Sequence, residues 1–264
     1  MKQYFCVSDV HSYYDAMIKA LNDKGFDINN DEHILVVCGD LFDRGTQSRE
    51  CLEYIMDLPE HRCILIRGNH DDLLEDCCQR GYAQSHDYSN GTWSTIKALG
   101  YNGTESDSRV ICAQAYDALE EYRASLRDYY ETEHFIFVHG WIPTALQDTS
   151  GWWSELSEKH LYCSDWRELD SQYWDIARWT NGMKAWKQGA REPNKTIVCG
   201  HWHCSYGWSH IDQQRKEFPP KNHKNWEKSF EPYVKDGIIA IDACTAYTGF
   251  VNCVVVDERG NIRV

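Results

Sequence analysis

Residues 36–45 read Val36-Val37-Cys38-Gly39-Asp40-Leu41-Phe42-Asp43-Arg44-Gly45, and in them an apolar run gives way to a polar loop. The run before Gly39 predicts a buried strand, because short apolar runs bounded by turn residues are typical of such strands. The loop would then lie at the carboxyl end of the strand, where α/β proteins usually bind their ligands. Its two carboxylates suit a metal ion, and its arginine suits a phosphate group.

The first 70 residues alternate between predicted strands and helices. We expect strands over residues 3–9, 33–38 and 63–67, and helices over residues 13–24 and 48–58. This alternation is typical of a parallel sheet covered by helices. Residues 71–130 are predicted to be mostly helical, with breaks around 85–91 and 100–108. Further strands are expected at 133–138 and 195–199. Residues 238–241 and 251–256 are predicted to form a closing pair of strands.

Polar side chains follow the predicted strands at the point where each strand ends. Because the carboxyl ends of parallel strands meet at one edge of a sheet, we expect these side chains to converge. They form a mixed oxygen and nitrogen set that is large enough for two metal ions, namely Asp9, His11, Asp40, Asn69, His139, His201 and His203.

This set predicts a pair of divalent cations that acts on phosphate esters. A carboxylate can bridge two ions about 3.5–4 Å apart, and such a pair activates a shared water for in-line attack on phosphorus. Imidazole and carboxylate ligands suit manganese, iron, zinc or magnesium better than copper. His70 could protonate the departing oxygen, with Asp43 orienting its imidazole and Arg44 gripping the phosphate oxygens.

The order and spacing of these motifs resemble the signature of the calcineurin-like metallophosphoesterases. Asp9-x-His11 is separated by residues 12–38 from the motif that begins at Gly39, and residues 46–67 separate that motif from Gly68-Asn69-His70-Asp71. Within this superfamily the chain is similar to the bacteriophage-lambda-type and bacterial serine/threonine phosphoprotein phosphatases. The likeness includes Asn90-Gly91, Thr95-Ile96-x-x-Leu99-Gly100 and Ile241-Asp242.

The resemblance implies an α/β fold built as a four-layer α/β/β/α sandwich of mixed sheets flanked by helices. It also implies one domain over residues 1–264 and two bound metal ions, with manganese preferred and iron, zinc or magnesium as alternatives. The first ion would take Asp9 and His11, Asp40 would bridge, and the second ion would take Asn69, His139 and His201.

The resemblance further implies which residues contact the substrate and perform the acid step. His70 and Asp43 would form the acid pair, while Arg44 and Asn69 would face the phosphate. A second phosphate-binding arginine is expected before the last histidine motif. Arg178 is the candidate, and Arg167 is the runner-up.

Three positions depart from the pattern of the protein phosphatases and leave the substrate open. Ser12 stands where glycine is usual, Asp71 where glutamate is usual, and Trp202 where threonine is usual. Asp71 matches the related diadenosine tetraphosphatases. A Gly-His-x-His ending is common among phosphodiesterases, in which the second histidine binds the first metal, so His203 is either an extra ligand or part of the wall of the site.

These features leave three functions open. The expected function is hydrolysis of phosphomonoesters, above all phosphoserine or phosphothreonine in proteins. The alternative is hydrolysis of phosphodiesters or dinucleoside polyphosphates. A non-catalytic binding module with this fold is less expected, because such members typically lose a ligand or the acid histidine, and none is missing here.

Composition narrows the partners and the setting. A net charge of −14 repels nucleic-acid backbones, so nonspecific binding to nucleic acid is not expected. Residues 1–5 do not resemble a signal segment and no apolar run is long enough to span a membrane, which predicts a cytoplasmic protein without a membrane partner. The twelve cysteines include no Cys-x-x-Cys pair, and Cys6, Cys38, Cys63 and Cys199 are expected to be buried and reduced.

Two later regions have distinctive compositions. An insert at residues 141–190 holds seven of the eleven tryptophans, which either pack a cap over the edge of the sheet or line part of the cleft. Residues 205–236 predict a polar surface loop. Its lysines, among them Lys216 and Lys228, either form a solvated face or attract an acidic substrate.

Overall fold

The strands and helices are known from a computed structural model that describes residues 1–101, 103–148 and 158–264. The strands are β1 Gln3–Val7, β2 His33–Cys38, β3 Cys63–Ile66, β4 Leu126–Arg127, β5 Tyr130–Glu131, β6 Phe135–Phe137, β7 Thr144–Asp148, β8 Glu158–Tyr162, β9 Thr196–Cys199, β10 Tyr233–Lys235, β11 Ile238–Ala240, β12 Val254–Asp257 and β13 Ile262–Arg263. The α-helices are α1 Tyr14–Asp23, α2 Ser48–Met56, α3 Asn69–Arg80, α4 Ser85–Asn90, α5 Thr92–Gly100, α6 Ser108–Ala118, α7 Glu120–Ser125, α8 Ser171–Arg178, α9 Gly182–Lys187 and α10 Thr245–Thr248.

Two mixed sheets form the centre of the fold. The first has the order β13-β12-β1-β2-β3-β4, in which β1 to β4 are parallel and β12 is antiparallel to β1. The second has the order β10-β11-β9-β6-β5, in which β11, β9 and β6 are parallel. Strands β7 and β8 form a separate antiparallel pair. The parallel arrangement predicted for the first three strands is confirmed.

The sheets pack face to face because both faces of their central strands are apolar. Side chains alternate between the two faces along a strand, so Val36 and Val198 meet in the core between the sheets. Leu35 points the other way, into the helices α1–α3 and α5–α7. On the outer face of the second sheet, Ile197 packs with the tryptophan-rich region that includes Trp186. The predicted order of layers, α/β/β/α, is confirmed.

The predicted closing pair of strands is wrong. Ile238–Ala240 pairs with β9 and β10 in the second sheet, whereas Val254–Asp257 pairs with β1 and β13 in the first. Both segments are short, apolar and buried, so their pattern does not distinguish one sheet from the other. The chain between them crosses from one sheet to the other, and each sheet gains one strand.

Two further segments are more ordered than their composition predicts. Residues 205–236 include a π-helical turn at Gly207–Ile211, a 3-10 helix at Trp226–Phe230 and the strand β10, because Phe230 and Tyr233 are fully buried anchors. The break predicted around residues 85–91 is instead the short helix α4. The break predicted before residue 108 is confirmed, between α5 and α6.

The cysteines are unpaired, and Cys6, Cys38 and Cys199 are buried as predicted, while Cys63 is partly buried. Among the residues that the structure describes, no helix combines the length and the apolar character needed to cross a membrane.

Candidate metal centre

The predicted metal ligands come from the carboxyl ends of strands in both sheets. Asp9 and His11 follow β1, Asp40 follows β2, and Asn69 begins α3 directly after β3. From the second sheet, His139 follows β6 and His201 follows β9. These side chains surround or underlie one cavity of about 450 Å³. The predicted convergence at one edge is therefore present, and it spans both sheets.

The backbone around this cavity is bent into an unusual conformation. Eleven non-glycine residues in the described ranges have positive φ, and eight of them lie in the loops that surround the cavity: Asp9, His11, Ser12, Asp40, Asp43, Arg44, His201 and Cys244. Such a conformation costs on the order of 1–3 kcal/mol per residue and persists only where surrounding contacts enforce it. Hydrogen bonds between the first two loops provide such contacts, including one of 3.0 Å from the N–H of His11 to the carbonyl of Asp40.

Two motif glycines allow the loops to approach one another. Gly39 has φ +80°, and a Cβ atom at that position would collide with the ring of His139. A Cβ atom at Gly68 would collide with the carboxylate of Asp40. The glycines of these motifs are thus required by close packing around the ligands.

Asp40 lies between imidazoles from opposite sides of the site. Its Oδ2 atom is 3.9 Å from Nε2 of His11, and its Oδ1 atom is 3.4 Å from Nε2 of His139. Oδ1 also accepts a hydrogen bond of 3.0 Å from the backbone N–H of His70. A carboxylate with one oxygen toward His11 and the other toward His139 has the arrangement that a bridging ligand needs.

Two clusters of candidate ligand atoms share Asp40. In one, Asp40 is grouped with His11 and His70, and in the other with His139 and His201, with all ligand atoms of a cluster within 4.8 Å of one another. Asp9 borders the first cluster, with Oδ1 at 3.9 Å from Nε2 of His11. Because Nδ1 of His70 is bonded to Asp43 and Nε2 lies beside the Arg44 guanidinium, Asp9 is the better candidate ligand.

Hydrogen bonds orient the two most buried imidazoles for metal binding. Nδ1 of His11 lies 2.9 Å from the carbonyl of Phe42, and Nδ1 of His139 lies 2.8 Å from the carbonyl of Cys38. A proton on Nδ1 leaves the Nε2 lone pair free for a metal, as in most metal sites with histidine ligands. Asn69 completes this side of the site, with Oδ1 at 2.8 Å from Nε2 of His139.

The electrostatics of the site also fit a metal pair. Burial lowers the pKa of His11 and of His201 to about 3, so both imidazoles are neutral, as metal ligands must be. Burial also opposes the charged form of His139, but the Asp40 carboxylate outweighs this effect and raises the pKa of His139 to about 10. In turn, His139 and His70 overcome burial and hold the pKa of Asp40 well below its usual range. The neutral imidazoles of His11 and His201, the buried carboxylates and the directed Nε2 atoms are a donor set that suits two divalent cations.

The predicted acid pair is formed beside these ligands. Nδ1 of His70 lies 2.8 Å from Oδ2 of Asp43, and Nε2 of His70 lies 3.2 Å from Nη2 of Arg44. Burial lowers the pKa of His70, but Asp40 and Asp43 outweigh it and raise the pKa above its ordinary value. An imidazole held in this way can carry a proton near neutral pH and donate it within the cavity.

Two threonines that the sequence patterns did not single out for chemistry hold Asp43. The Thr92 hydroxyl donates to Oδ2 of Asp43 at 2.6 Å, and the Thr95 hydroxyl donates to Oδ1 at 2.9 Å. Both threonines are fully buried near the start of α5. Thr95 lies in the stretch Thr95-Ile96-x-x-Leu99-Gly100, which carries part of the family resemblance. This resemblance was the sequence signal for its role.

His203 lines the cavity, but its ring is held by other groups. Nδ1 lies 2.7 Å from the hydroxyl of Ser205, and Nε2 lies 3.7 Å from a carboxylate oxygen of Glu217. The ring packs against Phe218 with centroids 4.6 Å apart. Within the described residues it joins neither cluster of candidate ligands. Of the two readings left open by the sequence, the geometry favours the wall of the site over the extra ligand.

Arg178 does not line the cavity, and its guanidinium is occupied by three carboxylates. Nε lies 2.7 Å from Asp72, Nη1 lies 2.7 Å from Asp128, and Nη2 bonds Asp175. These ion pairs neutralise the side chain and argue against the predicted phosphate contact.

The runner-up, Arg167, is similarly paired, with Glu131 and Glu192. Arg44 is the arginine that faces the cavity.

Several cavity residues were not predicted as site residues. Trp179 borders His201 with ring centroids 5.7 Å apart and is 53% exposed, and Trp202 lies on the same wall. Asp242 also lines the cavity, and burial together with the nearby Asp9 raises its pKa well above the usual range. The sequence signals for it were its position after a predicted strand and its place in the Ile241-Asp242 stretch of the family resemblance.

The tryptophan-rich insert serves both predicted purposes. Trp141, Trp166 and Trp174 are buried in the core beneath the second sheet, whereas Trp179 faces the cavity. Residues 149–157, which include two more tryptophans, lie outside the described residues.

A family model described as calcineurin-like phosphoesterase matches residues 3–234 of this chain. The chain is 31% identical over 117 residues to serine/threonine-protein phosphatase 1 of Salmonella typhimurium strain LT2, a match that covers 44% of this chain and 51% of that protein. It is 23% identical over 251 residues to the symmetrical bis(5'-nucleosyl)-tetraphosphatase of Xylella fastidiosa strain 9a5c, covering 75% of this chain and 77% of that protein. The match thus spans about half the length of the Salmonella relative.

Among solved structures, the fold is similar to that of a cold-active protein-tyrosine phosphatase from a psychrophilic Shewanella species. The TM-score is 0.53 at 16% identity, covering 98% of this chain and 76% of that one. At this identity the likeness concerns the fold alone.

Proposed function

The chain belongs to the calcineurin-like phosphoesterase family, and we propose that it hydrolyses phosphomonoesters, with phosphoserine and phosphothreonine of proteins as its substrates. One observation carries the proposal. Asp40 turns one carboxylate oxygen toward each of two histidine groups, directly beside a hydrogen-bonded His70–Asp43 pair and Arg44. This combination supplies ligands for two cations, a proton donor and a phosphate-binding cation in one cavity.

The metal ligands follow from the two sides of the site. Asp9, His11 and Asp40 would hold one ion, and the other would be held by Asp40, Asn69, His139 and His201. When bound, two divalent cations supply Lewis-acid polarisation of phosphoryl oxygens and a water of lowered pKa. We propose manganese, because a set of carboxylate, imidazole and amide oxygen donors suits it.

The protein's own groups bind the phosphate and handle the proton. Arg44 offers a planar guanidinium to the non-bridging phosphate oxygens. Its Nη2 atom lies 3.2 Å from Nε2 of His70, so a phosphate ester at this point would receive hydrogen bonds from both side chains. Asp43 keeps the His70 ring in place while Nε2 donates its proton to the leaving oxygen.

The preference for phosphoproteins rests on the match to the Salmonella phosphatase and on the cavity. Its volume of about 450 Å³ is of the size that binds small groups, which suits one phosphorylated side chain. Arg44 is the arginine in its lining, which matches a substrate with a single phosphate group at the metal centre.

Hydrolysis of a dinucleoside tetraphosphate is the second candidate, and Trp179 favours it. This ring is half exposed at the rim of the cavity, where a base could stack on it. Asp71 and the longer match to the Xylella tetraphosphatase point the same way.

A substrate panel with defined metals tests the proposal. We expect p-nitrophenyl phosphate and a phosphothreonine peptide to be hydrolysed faster than bis(p-nitrophenyl) phosphate and diadenosine tetraphosphate. The Asp40→Asn variant, purified in the same way, controls for contaminating phosphatases. Strong bis-ester turnover with little monoester turnover would contradict phosphomonoester hydrolysis. A higher kcat/KM for diadenosine tetraphosphate than for the peptide would assign the second candidate.

A further inference from the structure

A second cavity lies within residues 213–229, in the segment that follows the last histidine motif. Its volume is about 380 Å³, and its basic lining residues are Arg215, Lys216, His223, Lys224 and Lys228. Residues 213–229 contain five lysines and arginines against two glutamates, which gives +3 in a chain whose net charge is −14. The lining contains no aspartate or glutamate. This basic cavity is thus a local exception to the acidity of the protein.

Three of these cations have no carboxylate partner in the described part of the chain. Lys216, Lys224 and Lys228 form no ion pair there, although Lys19, Lys195 and Lys235 each bond an acidic side chain. Single unpaired lysines are ordinary on a protein surface. Three that converge on one cavity repel one another unless an anion lies among them.

The other basic side chains of this segment are already engaged. Nη1 of Arg215 lies 3.1 Å from Glu231, and its guanidinium stacks on Trp208. Lys221 lies over the rings of Trp226 and Tyr247, at 5.5 and 5.2 Å. The unpaired charge is therefore confined to the lysines that line the cavity.

The frame of the basic cavity is anchored in the core. Phe230 is fully buried at the end of the 3-10 helix Trp226–Phe230, and Trp226 packs against it with ring centroids 6.1 Å apart. Ser229 and Pro219 form a buried floor, and the hydroxyl of Tyr247 donates to the carbonyl of Pro219 at 3.1 Å. The lysines thus project from an ordered framework, which lowers the entropic cost of binding an anion.

The basic cavity and the metal centre share one segment of wall. Phe218 packs on His203, which lines the metal centre, while its neighbour Pro219 lines the basic cavity. A ligand in the basic cavity would therefore lie on the other side of residues 217–219 from the metal ligands.

We propose that the basic cavity is a second anion site that binds a chain of two or more phosphate groups. Lysine ammonium groups bind phosphate as point charges, and three of them match the charge of a short phosphate chain. A volume of about 380 Å³ suits a small molecule, and the strongly negative remainder of the surface disfavours a nucleic-acid strand. The phosphate chain belongs either to a free small molecule or to a substrate whose other end reaches the metal centre.

Calorimetric titration of the metal-loaded protein with inorganic tripolyphosphate tests this site. The test variant is Lys216→Gln/Lys224→Gln/Lys228→Gln. The control, Lys2→Gln/Lys97→Gln/Lys159→Gln, removes the same charge from exposed positions elsewhere. We expect two classes of binding in the wild type and the control. In the test variant one class should weaken by at least about tenfold, because its three cations are gone. Hydrolysis of p-nitrophenyl phosphate should stay unchanged in both variants, which verifies their folding.

Equal binding of tripolyphosphate by the test variant and the wild type would overturn the proposal. An equal loss of tripolyphosphate affinity in the control variant would also overturn it, because the change in net charge alone would then be the cause. KM values distinguish the two sources of the phosphate chain. A higher KM for diadenosine tetraphosphate, with an unchanged KM for p-nitrophenyl phosphate, assigns it to a substrate, while a change in tripolyphosphate affinity alone assigns it to a free ligand. Activity of the wild type on p-nitrophenyl phosphate tests the proposed function separately.

Discussion

Nδ1 of His70 lies 2.8 Å from Oδ2 of Asp43, and this bond turns Nε2 of His70 toward the cavity beside Arg44. The carboxylate is fully buried and is itself held by two threonine hydroxyls. The His70 ring is therefore fixed by a chain of contacts that extends from α5 to the cavity.

Replacing His70 by asparagine should slow the chemical step while both metal ions stay bound. General acid catalysis typically contributes about 10²–10⁴-fold. The loss should be large for a phosphothreonine peptide and small for p-nitrophenyl phosphate, whose leaving group needs little protonation. Metal analysis of the purified variant checks that both metal ions stay bound. Loss of metal from His70→Asn would show that this imidazole is a ligand, as its proximity to Asp40 permits.

Removing the Thr92 hydroxyl should weaken the acid step without affecting metal content. Thr92→Val deprives Asp43 of a buried hydrogen bond of 2.6 Å, a change that typically costs about 1–3 kcal/mol. We expect kcat for the phosphopeptide to fall about tenfold or more, and kcat for p-nitrophenyl phosphate to fall less. Thr92→Ser keeps the hydroxyl and is the control. An equal loss in both variants, or for both substrates, would indicate a packing effect instead.

Asp40→Asn should remove turnover and metal together. The amide cannot present a charged oxygen to each group of histidines, so the affinity for both ions should fall. Metal content and kcat measured on the same sample should decline in parallel. A variant that kept both ions and lost only activity would contradict the bridging role.

Replacing Arg178 should lower the stability of the protein, whereas replacing Arg44 should weaken substrate binding. Arg178→Gln leaves three carboxylates without their shared partner, so we expect the free energy of unfolding to fall by about 1–3 kcal/mol, with an unchanged KM. Arg44→Gln should raise KM by about tenfold or more and leave stability nearly unchanged. Urea denaturation and steady-state kinetics on both variants separate the two effects. A raised KM in Arg178→Gln at unchanged stability would restore its predicted contact with phosphate.

Metal binding should release a proton from His139. Its pKa of about 10 keeps the imidazole protonated at pH 8 in the metal-free protein, and a metal ligand must be neutral. Affinity should therefore rise as the pH approaches 10, with release of about one proton per protein from this residue. His11 and His201, with pKa values of about 3, have no proton to lose. Calorimetry at pH 8 in buffers of different ionisation enthalpy measures the release, and heats independent of the buffer would refute it.

The sequence alone predicts which side chains converge at the cavity, because each follows an apolar strand. Parallel strands place their carboxyl ends at one edge, so Asp9, Asp40 and Asn69 could be brought together without knowledge of any contact. The same reasoning extends to His139 and His201 in the second sheet. The local pattern therefore identifies the candidate ligands on each sheet, whereas only the structure shows that the edges of two sheets meet at the site.

Features that depend on distant partners could not be predicted in this way. The acidic partners of Arg178 include Asp72 and Asp128, which are 106 and 50 residues away in sequence, so nothing near Arg178 shows that its charge is neutralised. The strands at residues 238–240 and 254–257 have the same apolar character, and only packing assigns them to different sheets. Thr92 has no signal in the sequence and Thr95 only the family resemblance, and neither indicates the hydrogen bonds that both make to Asp43.

The division of the ligands between the two sheets has a consequence for how the protein matures. During synthesis, Asp9, Asp40 and Asn69 are made early, but the opposite side of the site is missing until the chain has been extended past His201 and the second sheet has docked. A nascent or partly unfolded chain thus offers the second ion only Asp40 and Asn69, whereas the donors proposed for the first ion, Asp9, His11 and Asp40, all belong to the first sheet. Once both sheets are joined, an ion held by Asp40, Asn69, His139 and His201 would connect them, and separating the sheets would require releasing that ion.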